Sequence, residues 1–303
     1  MKILLILFVI YALVIGYIVY ECLKRIVKPA MHKETELLEN EYRNGFGSAI
    51  EAYKNEWKKE DFSLPSDDVI LSGEIIRNPA SQNKAVIICH GQKVCRISSI
   101  KYAQMFYKLG YHVVIYDERH FGRSTGKYST LGQNEAKDLK NVYEFTKQTF
   151  GQDCRIGIHG ESMGAATALL SLKYIKPAFV VADCPFSDSY KLFEEFTIKN
   201  VHLPPILILP FVALIAKHKY DYDIRNTSPI VSVKESDVPI CFMHGTSDGL
   251  IKCEHSKAMH EVCKNEKSRL HLFEGADHAR SVVIDPKRYE KLLDEFVLDC
   301  ENA

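Results

Sequence analysis

Ser162 lies in a stretch whose residue types could support nucleophilic catalysis. It is flanked by Gly160 and Gly164, follows the apolar run Ile156–Ile158 and precedes the small pair Ala165-Ala166. A serine hydroxyl is a weak nucleophile until a base takes its proton and the backbone presents its oxygen. A tight turn from a strand into a helix presents the oxygen, and glycines let strand and helix approach closely. Gly-x-Ser-x-Gly also arises by chance, so the strand–turn–helix setting, more than the pattern itself, predicts a nucleophile.

The base and the acid that would activate this serine are sought at the ends of later strands, because an activated serine needs both. Two loops closely follow predicted strands, His244–Gly249 and Gly275–Ala279. Both would lie at the sheet edge that carries Ser162. We therefore predict His278 as the base and Asp248 as the acid that fixes its tautomer.

Two other aspartates compete for the role of the acid. Asp183 also follows a predicted strand and stays an alternative, because the geometry of such a triad can be met from other strands. Asp277 neighbours His278, but adjacent side chains rarely point to the same site. A loop-capping role is therefore predicted for Asp277.

An oxyanion that forms during acyl transfer needs two hydrogen-bond donors. The backbone N–H of Met163, directly after the serine, is one predicted donor, and the N–H of Gln92 in the loop His90-Gly91-Gln92 is the other. His90 is predicted to shape that loop. His255, His260 and His271 lie in helix-like or strand-like surroundings and are predicted to be packed or surface residues. No His-x-x-x-His or His-Glu-x-x-His spacing occurs, so neither a metal site nor a cofactor is predicted.

The elements that would position these residues alternate between strands and helices. Val69–Arg77 alternates apolar and polar residues as an antiparallel strand does, whereas the following strands are short continuous apolar runs. The alternation predicts an α/β fold with a doubly wound, mostly parallel sheet, in which ligands bind beyond the carboxyl ends of the strands. The predicted later strands are 85–89, 111–116, 155–159, 179–182, 239–244 and 270–273, and the predicted helices are 97–109, 132–150, 163–174 and 285–298.

One segment, residues 186–237, is far longer than an ordinary connection between two strands. It contains a charged helix candidate, Ser189–Asn200, and the apolar, proline-containing run Leu203–Ala216. The run is too short and too interrupted by proline to span a membrane. We predict a helical cap inserted over the strand ends, whose apolar side chains pack on the core and could line a pocket for an acyl or alkyl group.

The N-terminus differs in composition from the rest of the chain. Ile3–Tyr20 carries no charge and as a helix would extend about 27 Å, close to the thickness of a hydrocarbon core. No small-residue cleavage site comes after it, so an uncleaved single-pass membrane anchor is predicted. Positive residues are denser after the run, at Lys24, Arg25 and Lys28, which predicts a cytoplasmic position for the globular part of the chain. The predicted organisation is an anchor at 1–28, a charged linker at 29–66 and one globular domain at 67–303.

Composition excludes some classes of protein. Of 303 residues, 39 are Lys or Arg and 39 are Asp or Glu, so charge gives no reason to expect nucleic acid as a partner. The nine cysteines are odd in number and include no Cys-x-x-Cys pair. They are predicted to be free thiols of a reducing compartment, in agreement with the cytoplasmic placement.

These motifs together resemble the α/β-hydrolase superfamily and, within it, the bacterial membrane-anchored hydrolases of the YqkD type. The resemblance covers nearly the whole chain and implies a Ser-His-Asp hydrolase at Ser162, Asp248 and His278. Arg119-His120-Phe121-Gly122 departs from the usual Arg-Gly-His-Gly form of a loop that shapes the site. The residues that carry the resemblance are His90-Gly91, Tyr116–Gly126, Ile158–Gly164, Ala182–Phe186, His244-Gly245-x-x-Asp248 and Asp277-His278.

We therefore expect a serine hydrolase of the carboxylesterase or lipase type that cleaves a small-molecule ester with an apolar acyl or alkyl part through an acyl-enzyme. A serine aminopeptidase or amidase is an alternative, in which Glu194 and Glu195 of the charged cap helix could hold a substrate amine. A membrane-tethered binding protein on an inactive hydrolase fold is another. The presence of all three triad residue types argues against that last alternative.

Overall fold

The computed structural model describes residues 2–202 and 204–302, without the side chains at positions 4, 5, 7–9 and 12. Its centre is an eight-stranded sheet with the strand order β1-β2-β4-β3-β5-β6-β7-β8. The strands are β1 (Lys58–Ser66), β2 (Val69–Arg77), β3 (Lys84–Cys89), β4 (His112–Tyr116), β5 (Arg155–Glu161), β6 (Val180–Asp183), β7 (Ile240–Gly245) and β8 (Arg269–Phe273).

Twelve α-helices are found in the part of the chain that the structure describes. They are α1 (Lys2–Val27), α2 (Glu34–Arg43), α3 (Gly47–Asn55), α4 (Ile100–Lys108), α5 (Glu135–Phe150), α6 (Met163–Ser171), α7 (Ser189–Val201), α8 (Leu209–Tyr220), α9 (Pro229–Glu235), α10 (Glu254–Glu261), α11 (Ser281–Ile284) and α12 (Pro286–Glu301). Short 3-10 turns at Arg96–Ser99 and Pro205–Leu207 complete the helical structure.

The sheet is parallel from β4 to β8, while β1 and β2 add to one edge in antiparallel pairing. The central strands are apolar on both faces because helices cover both: Val86 and Ile88 of β3 belong to one buried cluster, and Ala85 and Ile87 to another. The predicted doubly wound, mostly parallel sheet is confirmed, and the ends of β3, β5, β6, β7 and β8 meet at one edge.

Residues 58–66 form a strand, although the sequence indicated a charged linker there. Each residue of β1 pairs with one of β2, from Lys58 opposite Arg77 to Ser66 opposite Val69. Most β1 side chains are exposed or half-buried, so the strand has no apolar run to reveal it in the sequence. Its place at the sheet edge comes from pairing with β2.

The segment between β6 and β7, where a helical cap was predicted, contains α7, α8 and α9. We call α7 and α8 the cap, because their buried side chains share one apolar cluster, whereas Val233 of α9 packs in the cluster of α6 and the sheet. Leu203, the first residue of the predicted apolar run, lies outside the described residues. Leu209, Val212 and Ala216 of α8 are buried in a cluster that also contains Met163, directly after the candidate nucleophile. The apolar run therefore packs in the same cluster as the residue that follows Ser162.

Helix α1 packs one side against this cap. Ile15, Val19, Leu23 and Val27 are buried in the same cluster as the apolar face of α8. Among the residues that the structure describes, no helix has both the length and the apolarity needed to cross a membrane. The predicted membrane-spanning anchor therefore has no support in the structure.

Candidate active site

Ser162 lies in a sharp turn between β5 and α6. Its φ of 56° and ψ of −115° place a non-glycine residue in a strained backbone region. Glycines permit the close approach around it: a Cβ on Gly160 would lie 2.3 Å from the Gly164 carbonyl oxygen, and one on Gly164 would lie 2.2 Å from the Cys89 carbonyl oxygen. The strand–turn–helix setting expected from the sequence is therefore present, and the serine oxygen stands at the carboxyl end of the sheet.

The structure brings Ser162, His278 and Asp248 together, although they lie on three separate loops. The Ser162 Oγ is 2.8 Å from His278 Nε2, and His278 Nδ1 is 2.7 Å from Asp248 Oδ2. Both distances are hydrogen-bond distances, and the base bridges nucleophile and acid through its two ring nitrogens. This arrangement can move a proton from the serine to the imidazole while the carboxylate stabilises the resulting charge.

Asp248 is held as an anion by the loop after β7. Its Oδ1 accepts hydrogen bonds from the N–H groups of Leu250, at 2.9 Å, and Ile251, at 2.8 Å. Its Oδ2 is also 3.2 Å from Nε2 of the buried His244. Burial would raise the pKa of Asp248, but the bonds from His244, His278 and Ile251 outweigh it and hold that pKa well below its usual range. The acid is therefore ionised at neutral pH.

His278 has a pKa above that of an ordinary histidine. Burial alone would lower the pKa, yet the hydrogen bond and negative charge of Asp248 outweigh it, helped by the charges of Glu161 and Asp183. The side chain stays 19% exposed, which leaves a way for substrate and water to reach the ring.

The rival aspartates lie elsewhere in the hydrogen-bond network. Asp183 Oδ2 accepts a bond from the Tyr102 hydroxyl at 3.2 Å, while its backbone oxygen accepts from the N–H of Ser162 at 2.8 Å. Asp277 Oδ1 accepts from the N–H groups of Gly249, at 3.0 Å, and His278, at 2.7 Å. Asp183 therefore supports the turn, and Asp277 caps the loop that carries His278.

The loop after β3 faces the nucleophile, where the Gln92 donor was expected. A Cβ on Gly91 would lie 3.6 Å from the Ser162 Cβ, so the backbone of this loop passes beside the serine. Met163, whose N–H is the other predicted donor, is the first residue of helix α6 and directly follows Ser162. Buried His90 shapes the loop: its Nδ1 bonds to the Gly91 carbonyl at 2.7 Å, and its Nε2 accepts from the N–H of Glu118 at 3.0 Å.

The loop after β4, whose sequence departs from the usual form, is fixed by buried charge. Arg119 donates two hydrogen bonds to Asp138 of α5, at 2.6 and 2.9 Å. Phe121 is fully buried and stands edge-on to the ring of His90, with ring centroids 5.4 Å apart. His120 adopts a left-handed φ of 74°. Phe121, one of the residues that depart from the usual form, therefore packs against His90 of the loop that carries Gln92.

One group of side chains in the described part of the chain brings three possible metal-ligating atoms within 4.8 Å of one another: Cys184, Asp248 and His278. Two of these residues are triad members whose facing atoms already share a hydrogen bond. Burial, with the negative charges of Asp183 and Glu161, raises the pKa of the Cys184 thiol well above its ordinary value, which disfavours the thiolate that a metal would need.

A cavity of about 560 Å³ lies between the end of α8 and the loops that precede α5, away from the triad. It is polar, and its lining includes Arg119, Lys127, Lys217 and Lys219. None of Ser162, Asp248 and His278 lines it. The apolar cluster that contains Met163 also contains Leu209 and Val212 of α8.

Several residues of the site were missed in the sequence. His244 was recognised only as part of a loop motif, yet it contacts the triad acid. Glu161, Lys101 and Tyr102 form a buried polar group behind the nucleophile. The sequence offered one signal for Glu161, its place directly before the serine, and none for the other two, since both lie in an amphipathic helix.

Comparison with known proteins gives the family. A model of the prolyl oligopeptidase family matches residues 98–301. The uncharacterized protein YqkD of Bacillus subtilis is 32% identical over 233 residues, which cover 74% of each chain. The lysophosphatidylserine lipase ABHD12 of Danio rerio is 23% identical, over 62% of this chain and 49% of its own.

Solved structures give the same fold. The esterase Pf2001 of Pyrococcus furiosus superposes with a TM-score of 0.66 at 26% identity, over 82% of this chain and 93% of its own. An acylaminoacyl peptidase of Pyrococcus horikoshii superposes with a TM-score of 0.60 at 18% identity, over 79% of this chain and 41% of its own, and at that identity it shows the fold alone. From the matched residues and the shared fold, the chain belongs to the prolyl oligopeptidase family of α/β hydrolases.

Proposed function

We propose that this protein is a serine hydrolase that cleaves carboxylic esters with an apolar acyl or alkyl part. The observation that carries the proposal is the continuous hydrogen-bonded row from Ser162 Oγ through His278 to Asp248, with 2.8 and 2.7 Å at its two junctions. The similarity to the esterase Pf2001 agrees with an ester substrate, and the name of the relative ABHD12 agrees with an acyl lipid.

The proposed reaction has two halves. In the first, His278 takes the proton of Ser162, the serine oxygen attacks the ester carbonyl, and the N–H groups of Gln92 and Met163 stabilise the oxyanion. His278 then gives the proton to the leaving alcohol as the carbon–oxygen bond breaks, which leaves an acyl-enzyme. In the second, His278 takes a proton from water, the hydroxide oxygen attacks the acyl carbon, and Ser162 regains its proton as the acid departs.

A fluorophosphonate probe tests the nucleophile. The probe phosphonylates an activated serine, so we expect the wild-type protein to be labelled and Ser162→Ala to stay unlabelled. Ser187, a buried serine that hydrogen-bonds His255 at 2.8 Å outside the triad, offers a matched control. Ser187→Ala should label at a rate close to that of the wild type. Equal labelling of wild type and Ser162→Ala would remove the basis of the proposal.

Amide hydrolysis is the second candidate function, because the family includes peptidases by name. Glu195, one of the two cap residues considered for binding a substrate amine, is 3.6 Å from Lys252 Nζ and only 22% exposed. An acid already beside a lysine is less available for a substrate amine, which favours the ester. Turnover of p-nitrophenyl esters of rising chain length should exceed that of aminoacyl-anilides; faster turnover of the anilides would favour the amidase.

We further propose that α1 attaches the protein to a membrane, with the hydrolase domain on the cytoplasmic side. Exposed apolar side chains on α1 support attachment, and Lys24, Arg25 and Lys28 support the placement. The nine free cysteines agree with a reducing compartment. Protease added to intact cells should leave the domain uncut, while the same protease should cut it after the cells are opened; cutting in intact cells would contradict the cytoplasmic side.

A further inference from the structure

A row of buried charged groups lies directly behind the nucleophile. Glu161, the residue before Ser162, is 2.9 Å from Lys101 Nζ and accepts a hydrogen bond from the Tyr102 hydroxyl at 2.6 Å. Lys101 is only 5% exposed, although a buried ammonium is costly unless charged partners surround it. The lysine is therefore tied to Glu161 by electrostatics as well as by hydrogen bonding.

The other partner of this lysine comes from the N-terminal segment. Lys101 Nζ is 3.2 Å from Oε1 of Glu41, a buried residue of α2. The row Glu41–Lys101–Glu161 thus joins α2 to the residue that precedes the nucleophile. Glu41 lies outside residues 98–301, the part of the chain that matches the family.

The same segment also contacts the loop that carries the predicted oxyanion donor. The Gln92 side-chain amide donates to the carbonyl oxygen of Ile26, at the end of α1, at 2.9 Å. The N–H of His32 donates to the Lys93 carbonyl at 2.9 Å. Residues 26–41 therefore contact the loop after β3 directly, and they reach the turn at Ser162 through Lys101.

We propose that residues 26–41 position the oxyanion hole, and that Glu41 and Lys101 are positioning residues that act through Glu161. Neither side chain contacts the triad, so they would act by fixing the backbone that carries Ser162, Met163 and Gln92. Small displacements of such donors are costly, because the interaction with the oxyanion depends on placement to within about 0.5 Å. The proposal rests on the serine hydrolase proposed above.

Stability alone is a weak explanation for this row. Buried ion pairs often contribute little net stability, because desolvation offsets their attraction. One Glu41 oxygen, Oε2, has no hydrogen-bond partner within the described residues, which adds to the cost of burying the group. A row that costs desolvation yet reaches the nucleophile suits a positioning role better than a stabilising one.

The row also affects the pKa of His278, through the negative charge of Glu161. Lys101 and the hydrogen bonds from Tyr102 and Lys101 hold the pKa of Glu161 below its usual range against the effect of burial, so Glu161 is an anion. Its charge helps to raise the pKa of His278. The titratable groups that interact with Glu161 are Lys101, Tyr102, His159, Asp183, His90, Cys184 and Tyr289, with Glu41 beyond the lysine. Those around His278 are Asp248, Asp183, Asp277 and Cys184.

Glu41→Gln in the full chain is the test of the positioning role. It removes one charge, keeps the shape and leaves Lys101 paired with Glu161. We expect kcat for p-nitrophenyl butyrate to fall about tenfold with little change in KM, since the interaction at stake forms only in the transition state. Affinity for an alkyl boronic acid, which forms a tetrahedral adduct with the serine, should fall by a similar factor. Glu39→Gln on the exposed face of the same helix is the matched control and should retain both values.

Glu161→Gln adds a measurement, the pH dependence of kcat/KM, that would stay unchanged if Glu161 had only a structural role. It removes negative charge near His278, so the pKa of that base should fall and the acidic limb of kcat/KM should shift to lower pH. An unshifted limb, or wild-type kcat and boronate affinity in Glu41→Gln, would overturn the positioning role. Loss of thermal stability in Glu41→Gln with unchanged kcat would overturn it as well. Failure of the proposed function is a separate outcome, because the wild-type protein would then not react with the fluorophosphonate.

Discussion

At the scale of single residues, the acid–base pair predicts how activity depends on pH. The base must be neutral to take the proton of Ser162, and Asp248 raises the pKa of His278 above that of an ordinary histidine. Activity should therefore be full above the pKa of His278 and fall as the pH drops through it. The pH dependence of kcat/KM for a neutral ester measures this pKa in the free enzyme. A limb at or below the ordinary histidine value, near 6.5, would contradict the geometry.

The identity of the acid is a second prediction at this scale. Asp248→Asn should lower kcat by about three to four orders of magnitude, because the amide removes the charge and no longer fixes the tautomer of His278. Its acidic limb should also move to lower pH. Asp183→Asn is the matched comparison, because Asp183 hydrogen-bonds Tyr102 but not His278. A larger loss in Asp183→Asn than in Asp248→Asn would assign the acid to Asp183.

At the scale of elements, the turn between β5 and α6 depends on the absence of a side chain at Gly164. A Cβ there would lie 2.2 Å from the Cys89 backbone oxygen, so α6 would have to move away from β3. Gly164→Ala should lower the free energy of unfolding by about 1–3 kcal/mol and remove most of the activity. Gly16→Ala is the matched control, because a Cβ at Gly16 of α1 would meet nothing within 4 Å. Chemical denaturation measures the free energy of unfolding of both variants. An equal loss in Gly164→Ala and Gly16→Ala would contradict this account.

The elements also show what local sequence can and cannot indicate. Strands β3 to β8 are short runs with an apolar centre between helices, and their order along the chain was sufficient to place Ser162, Asp248 and His278 at one edge. Strand β1 begins Lys58-Lys59-Glu60-Asp61, a charged run that in the sequence indicates a linker. Its pairing with β2, which the local sequence does not show, makes it a strand. Helix boundaries moved by a few residues, since the last turn of a helix depends on its neighbours.

The buried row Glu41–Lys101–Glu161 could not be predicted from the sequence, for a different reason. Glu41 and Lys101 are 60 residues apart in the chain, and each lies in an amphipathic helix where a charged residue is ordinary. Their role depends on the contact between α2 and α4, which buries both charged groups side by side. Tertiary structure determines pairings of this kind. The Gly-x-Ser-x-Gly motif can be recognised locally, because its tight turn requires glycines beside the serine.

At the scale of the whole molecule, α1 has two different sides. Its buried residues pack on the cap, while Ile10, Leu13 and Tyr17 are each at least half exposed. Apolar side chains that enter a bilayer interface gain about 2 kcal/mol each. The triple substitution Ile10→Asn, Leu13→Asn and Tyr17→Ser should therefore lower binding to anionic phospholipid vesicles by more than about tenfold, measured by co-sedimentation of the full chain.

The same variant separates attachment from catalysis. Its substitutions avoid Ile26, whose carbonyl receives the Gln92 side chain, and also Ile15 and Val19, which pack on the cap. Hydrolysis of a short soluble ester should therefore be retained, while hydrolysis of an ester dissolved in vesicles should fall with binding. Ile70→Asn, which changes a similarly exposed apolar residue on β2, should alter neither measurement. If the triple variant still sediments with vesicles like the wild type, the exposed side of α1 is not the attachment surface.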